Sequence, residues 1–247
     1  MVKNALMGPA GILLLSGSLL LLWFVILSGV SGSTPLSRTY FLRADTSGIT
    51  GARDVTQWTY FWFCGDGNTD CKDPRPAPAF GKAWASHAEN APSDLIGSHG
   101  SHTTSYHYYY MWRFGWSFIL ITLFFETLAF FAAFLSCCGR LGAAIATMAA
   151  LVSLFFHTLG TTLMTATFVQ ARNAFHRHNR SAKVGSYAFG FMWASWACLV
   201  LSLLFFCVGI RASHKSESGY TGRKWRRQRS VRRSRSYDGR RVKEEYS

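Results

Sequence analysis

The chain has 247 residues, 49% hydrophobic and only 15% charged, with 26 lysines and arginines against 12 acids and a formal net charge of +14. No charged side chain lies between Lys3 and Arg38, Arg140 and Arg172, or Lys183 and Arg211, and Glu126 alone lies between Arg113 and Arg140. Each stretch exceeds the roughly 20 apolar residues that cross a hydrocarbon core, and a soluble domain of this length cannot bury four of them, so composition excludes a water-soluble globular protein.

In chain order, residues 1–9 are a short cytoplasmic N-terminus and residues 10–28 the first transmembrane helix. Helices are expected because lipid offers the backbone no hydrogen-bond partner, and these runs lack strand-like alternation. A cleaved signal peptide is the rival reading of the first span, but its apolar part exceeds the usual 7–15 residues, which favours a retained signal anchor. Residues 29–114 then form an extracellular loop domain with short aromatic-rich runs, and strands are predicted at 38–44 and 55–63. The second runs into Cys64-Gly-Asp-Gly-Asn-Thr-Asp-Cys71, whose Asp-Gly and Gly-Asn pairs suit a tight turn. Cysteines flanking a hairpin turn in an oxidising compartment predict a Cys64–Cys71 disulfide over a metal site, since no second cysteine pair faces them. His87, His99, His102 and His107 follow; Gly and Ser between the last three leave no fixed metal geometry, so a flexible polar linker is expected, with no metal. Tyr106, Tyr108, Tyr109, Tyr110, Trp112 and Trp116 read as an aromatic belt at the outer interface.

The second and third transmembrane helices are placed at 115–136 and 143–169, joined by a cytoplasmic turn at 137–142. Cys137 and Cys138 at that turn are candidate palmitoylation sites. Small and polar residues recur at threes and fours on both helices, Glu126 and His157 among them, so these faces should pack against protein. A charged, unpaired side chain at the bilayer centre costs at least roughly 2.5–3.5 kcal/mol. Glu126 and His157, each near the middle of its span, are therefore expected inside the bundle in an interhelical hydrogen bond, with Glu126 protonated. An extracellular loop at 170–185 carries the glycosylation pattern Asn179-Arg-Ser181, and residues 186–210 form the fourth transmembrane helix.

Residues 211–247 are a basic, disordered cytoplasmic tail with thirteen Lys/Arg against four acids, whereas residues 29–114 carry seven of each. This positive-inside asymmetry puts both termini in the cytoplasm, although Arg172, Arg177, Arg180 and Lys183 fall in a loop then placed outside. The cluster Arg223, Lys224, Trp225, Arg226, Arg227, Arg229, Arg232, Arg233 and Arg235 suits an anionic inner leaflet, at roughly 1 kcal/mol per cation near the surface. Serines 230, 234 and 236 among the arginines suit phosphorylation that cancels this charge. The predicted fold is therefore a membrane all-α four-helix bundle with a small β-rich, disulfide-stapled extracellular domain in the first outer loop.

A Trp shortly before a Cys-turn-Cys hairpin in the first loop of a four-span protein resembles the claudin superfamily. The stretches Ala44-Asp-Thr-Ser-Gly-Ile-Thr-Gly-Ala-Arg-Asp54, Trp58-Thr-Tyr-Phe-Trp-Phe-Cys64, Tyr110-Met-Trp-Arg-Phe-Gly-Trp116 and Thr165-Ala-Thr-Phe-Val169 resemble the Sur-seven/PalI family of fungal plasma-membrane tetraspans more closely. Trp58, Phe61, Trp62, Cys64, Cys71, Trp112 and Arg113 are the motif residues. Phe61 stands where claudin-like members usually carry Trp, and the two cysteines are closer together than in claudins. The resemblance implies a non-enzymatic organiser of the furrow-like domains called eisosomes, tied to cell-wall integrity and stress response. Its implied partners are plasma-membrane lipids (the anionic inner leaflet, sterol or sphingolipid) and eisosome scaffold proteins or copies of itself. PalI relatives imply an alternative, an accessory subunit of an ambient-pH receptor. No cofactor, nucleic acid or small-molecule substrate is implied, and no nucleotide-binding glycine motif or His-Glu-x-x-His suggests an enzyme.

Overall fold

The structure, a computed structural model, describes residues 7–72, 74–135 and 140–208. Among the described residues four helices are long and apolar enough to cross a membrane: α1 (Met7–Ile26), α2 (Tyr106–Leu135), α3 (Arg140–Arg177) and α4 (Ser186–Val208). Pro9 sits in the first turn of α1, where its missing N–H costs nothing. Gly29 follows that helix with φ +87°, and a Cβ there would stand 2.9 Å from Thr59 Oγ1. Both requirements suit glycine alone.

The described residues also form one antiparallel sheet, ordered β3-β2-β1-β4, from Leu42–Asp45 (β1), Val55–Trp58 (β2), Phe63–Cys64 (β3) and Ala182–Val184 (β4). Its strands are shorter than the expected 38–44 and 55–63. Residues 36–38 form a 3₁₀ turn, and β2 stops because Thr59 N–H and Oγ1–H donate to Trp62 O at 2.8 and 3.0 Å, closing a turn before β3. The fourth strand comes from the loop between α3 and α4. Leu42 lies opposite both Trp58 and Val184, so the two loops build one head on the bundle.

Two devices bring β4 into place. The apolar run of α3 continues as helix to Arg177, and Asn179 then takes the left-handed conformation (φ +55°). Asn179 N–H donates to His176 O at 3.1 Å and Arg180 N–H to Phe175 O at 3.0 Å, the two bonds of a Schellman cap. Gly185 N–H then bonds Phe41 O at 3.0 Å as the chain enters α4.

One aromatic core joins head to bundle. Trp112 of α2 lies 4.8 Å from Phe80 and 5.0 Å from Phe168 of α3; Phe41 stacks on Phe168 at 5.1 Å, and Trp58 lies 6.0 Å from Phe175. All six are buried. Deeper in the bundle small residues set the spacing. A Cβ on Gly115 would stand 3.0 Å from Met164 Cγ, and one on Gly160 2.9 Å from Ile119 Cδ1. Hydroxyls supply the polar contacts: Ser18 donates to Ser195 O at 2.9 Å, Ser202 to Gly11 O at 2.8 Å and Ser153 to Thr122 O at 3.1 Å. Such bonds hold helices together where apolar burial gives no net drive.

Candidate functional site

The chemically distinctive part of the molecule is the head and its seat on the bundle. The Cys64–Cys71 disulfide joins Cα atoms 4.0 Å apart and closes the turn in which Gly67 (φ +70°) and Asn68 (φ +55°) reverse the chain. Asn68 is buried: its amide donates to Leu36 O at 2.8 Å and Thr39 O at 3.0 Å, and its N–H to Gln57 Oε1 at 3.0 Å. The turn is thus tied both to the segment before β1 and to β2.

Arg43 of β1 grips the same turn, with Nε and Nη2 donating to the Asp66 carboxylate at 2.9 and 3.0 Å. The Arg43 hydrogen bond holds the Asp66 carboxyl below its usual range. A carboxyl depressed in the folded state contributes stability above its unfolded pKa of about 4 and loses it as pH falls through the folded value. Amide protection factors in residues 64–71, taken against the intrinsic exchange rate at each pH, are therefore expected to fall as the medium is acidified below about pH 4, and Asp66→Asn should abolish that dependence. The effect is small because Asp66 is 63% exposed.

Of the motif residues, Trp58 and Trp112 are fully buried in the shared core, while Phe61 and Trp62 are half-buried. Phe61 lies edge-on to Tyr60 (5.1 Å) and Trp116 (5.6 Å), and Trp62 edge-on to Phe61 at 5.5 Å. Arg113 is exposed over the Tyr109 ring, 5.5 Å from its centroid. Tyr60 is the residue that sequence reading passed over. Its hydroxyl donates to Trp116 O at 2.6 Å, Trp116 Nε1 donates back to Tyr60 O at 3.2 Å, and the rings stack at 5.6 Å. Burial pushes the Tyr60 phenol well above its ordinary range, so it stays a donor.

Two of the cations at the end of α3 and after it also have structural partners. Arg177 pairs with Asp94 at 2.9 Å, and the Arg180 guanidinium donates to Ser47 O at 2.8 Å, Asn90 O at 3.1 Å and Asp45 O at 3.4 Å. Their conflict with the charge rule was the sequence signal that they are bound within the head. Arg180→Ala is expected to cost about 1.5 kcal/mol, the low end for charged hydrogen bonds, because the side chain is only half-buried. Faster proteolysis within residues 46–54 and 85–94, with the bundle intact, checks this.

The expected flexible linker at 97–107 is instead folded. His99 stacks on Tyr109 at 3.7 Å, Ser105 N–H bonds Leu95 O at 2.8 Å, and Gly81 N–H bonds Thr104 Oγ1 at 2.9 Å. Backbone polar groups inside the segment find partners in the head, which fixes it despite its composition. Asn179, expected as a glycosylation acceptor, is exposed and caps α3.

Glu126 and His157 are both fully buried, but the expected hydrogen bond between them is absent: among the described residues neither carboxyl oxygen and neither ring nitrogen has a hydrogen-bond partner. The packing of Gly115 on Met164 and of Gly160 on Ile119 sets the α2–α3 register. That register leaves Glu126 and His157 about one helical turn apart in depth. Glu126 stands beside Ser18, whose hydroxyl is committed to Ser195, and His157 lies against α4 near Met192. Cys137, Cys138 and the basic cluster from Arg223 lie outside the described residues.

Four membrane-spanning helices capped by a small disulfide-closed β head define a tetraspan membrane protein. Residues 7–205 match the model of the SUR7/PalI family. Protein SUR7 of Candida albicans is 34% identical over 204 residues, 81% of this chain and 73% of that protein. The SUR7 family protein FMP45 of Saccharomyces cerevisiae is 33% identical over 219 residues, 85% of this chain and 67% of its own length. A third relative, the uncharacterized plasma membrane protein YNL194C of Saccharomyces cerevisiae, is 33% identical over 212 residues, 81% of this chain and 67% of that one. The chain belongs to the SUR7/PalI family.

Proposed function

We propose that the protein is a non-enzymatic organiser of plasma-membrane domains of the eisosome type, with its head outside, both termini in the cytoplasm and its basic tail on the inner leaflet. The observation that carries this reading is the single aromatic core running from the head into α2 and α3 through Trp112, Phe80 and Phe168. A head fused to its bundle suits a body that holds position in a membrane, and among its described residues no carboxylate cluster or nucleophile–base pair suggests a reaction. Three features support the orientation. The disulfide suits an oxidising side, the tail nets +9, and Arg177 and Arg180 are held by the head and so weigh little against the positive-inside rule.

Imaging a fluorescently tagged copy in fungal cells tests this, beside one with the eight lysine and arginine residues from Arg223 to Arg235 replaced by neutral ones. Static cortical patches that overlap an eisosome scaffold, and weaken several-fold in the neutralised tail, are expected. A uniform or endosomal distribution of the unaltered protein overturns the organiser reading and favours an accessory role in ambient-pH reception.

A further inference from the structure

The head contains a backbone oddity that the organiser reading does not use. Gly100, Ser101 and His102 are consecutive left-handed residues, with φ of +64°, +61° and +62°, and His87 is left-handed too, at +54°. Left-handed conformation is tolerated by glycine and uncommon for other residues, which makes such positions candidates for function. Here they bring two side chains together. The imidazole rings of His87 and His102, fifteen residues apart in the chain, lie 5.0 Å apart with their planes 30° from parallel. Both side chains are exposed.

The two segments that carry them are pinned to one another. Trp84 Nε1 donates to Thr103 O at 3.2 Å, and Gly81 N–H donates to Thr104 Oγ1 at 2.9 Å. Trp84 and Ala88, on either side of His87, are buried, and Thr103, next to His102, is buried as well. Thr103 Oγ1 also bonds Gly100 O at 2.9 Å, inside the left-handed turn. The pair is therefore held by the fold and does not depend on a chance meeting of mobile side chains.

Other histidines in the head and its flanks are already engaged. His107 is bonded to Gln170, His176 to Ala182 O and His178 to Ser93, and His99 is stacked on Tyr109. Among the described residues neither ring of the His87–His102 pair has a hydrogen-bond partner, so two imidazoles with unclaimed nitrogens lie side by side on the exposed surface. We infer that His87 and His102 form a surface binding site for a divalent late-transition-metal ion. Imidazole is a preferred ligand for Cu²⁺, Ni²⁺ and Zn²⁺, and a centroid separation near 5 Å suits two rings bound to neighbouring positions of one ion. Among the described residues no group of three His, Cys, Asp or Glu side chains converges, so water completes the coordination and the ion is exchangeable. The absence of a fixed geometry was the sequence argument against a metal here, and the left-handed turn supplies that geometry.

The full-length, untagged protein in lipid nanodiscs is titrated with Cu²⁺, read by calorimetry and by the nitrogen hyperfine structure of its electron paramagnetic resonance spectrum. His87→Asn and His102→Asn are the test variants, because asparagine accepts the left-handed backbone and both positions are exposed. His107→Asn is the control. One equivalent bound through two nitrogens is expected, weakened at least about tenfold by either test variant and unchanged by the control. Binding that survives both test variants, or a spectrum with fewer than two nitrogens, overturns the proposal, as does no saturable binding by the unaltered protein.

Discussion

Trp112→Ala should lower stability by about 3–5 kcal/mol, the cost of emptying a large buried aromatic site, and detach the head from the bundle. Trp112 is 1% exposed and sits where the two parts meet, against Phe80 of the head and Phe168 of α3. Among the described residues its indole N–H has no hydrogen-bond partner, so the loss is one of packing and not of a polar contact. Neighbouring rings cannot collapse into the space without breaking the Phe41–Phe168 stack, which limits relaxation. The expected result in detergent is a fall in melting temperature of the order of 10 °C. Exchange protection should vanish first in the head, with the helix signal retained. Trp112→Phe should recover much of both, because it refills most of the volume.

Gly160→Leu is expected to be more damaging still. A Cβ at this position would stand 2.9 Å from Ile119 Cδ1 and 3.2 Å from Ile119 N. The side chain of Ile119 can turn aside, but the backbone of α2 cannot, so a leucine forces two long helices apart. The cost should exceed the 1–3 kcal/mol typical of an overpacked core. Gly190 is the built-in comparison, exposed on α4 with nothing within 4 Å of a Cβ, so Gly190→Leu should leave the protein intact. Size-exclusion chromatography of the two variants checks the pair of expectations: a broad, aggregated Gly160→Leu beside a monodisperse Gly190→Leu. A monodisperse Gly160→Leu would mean that the α2–α3 contact is looser than the structure describes.

Much of this was legible in the sequence because it depends on local or compositional physics. Charge-free runs long enough to cross a bilayer, spaced as they are, leave only a tetraspan. The turn residues between Cys64 and Cys71 announce the disulfide, and Trp58 and Trp112 stand out as large apolar side chains beside a membrane. The site residues were harder. Tyr60 looked like one of many loop aromatics, because nothing local says that its hydroxyl reaches Trp116 O. Arg177 and Arg180 looked like an exception to the charge rule, because their partners lie more than eighty residues away in the chain.

What the sequence determined by itself is therefore the solvent each segment requires: four helices for lipid, a cross-linked β-rich head for water and a basic tail. Tertiary structure decided what depends on register and on distant closure. It assigned residues 182–184 to the head as β4, since a three-residue strand has no periodicity to read until Leu42 lies opposite Val184. It placed Glu126 and His157 a turn apart, because the glycine contacts of α2 with α3 fix depth more tightly than distance from flanking charges can. And it turned the histidine-rich stretch from an expected linker into a pinned left-handed turn, because the hydrogen bonds that hold it come from Gly81 and Trp84. Local composition sets which environment a segment enters, while the pairing of groups far apart in the chain sets where each side chain ends up.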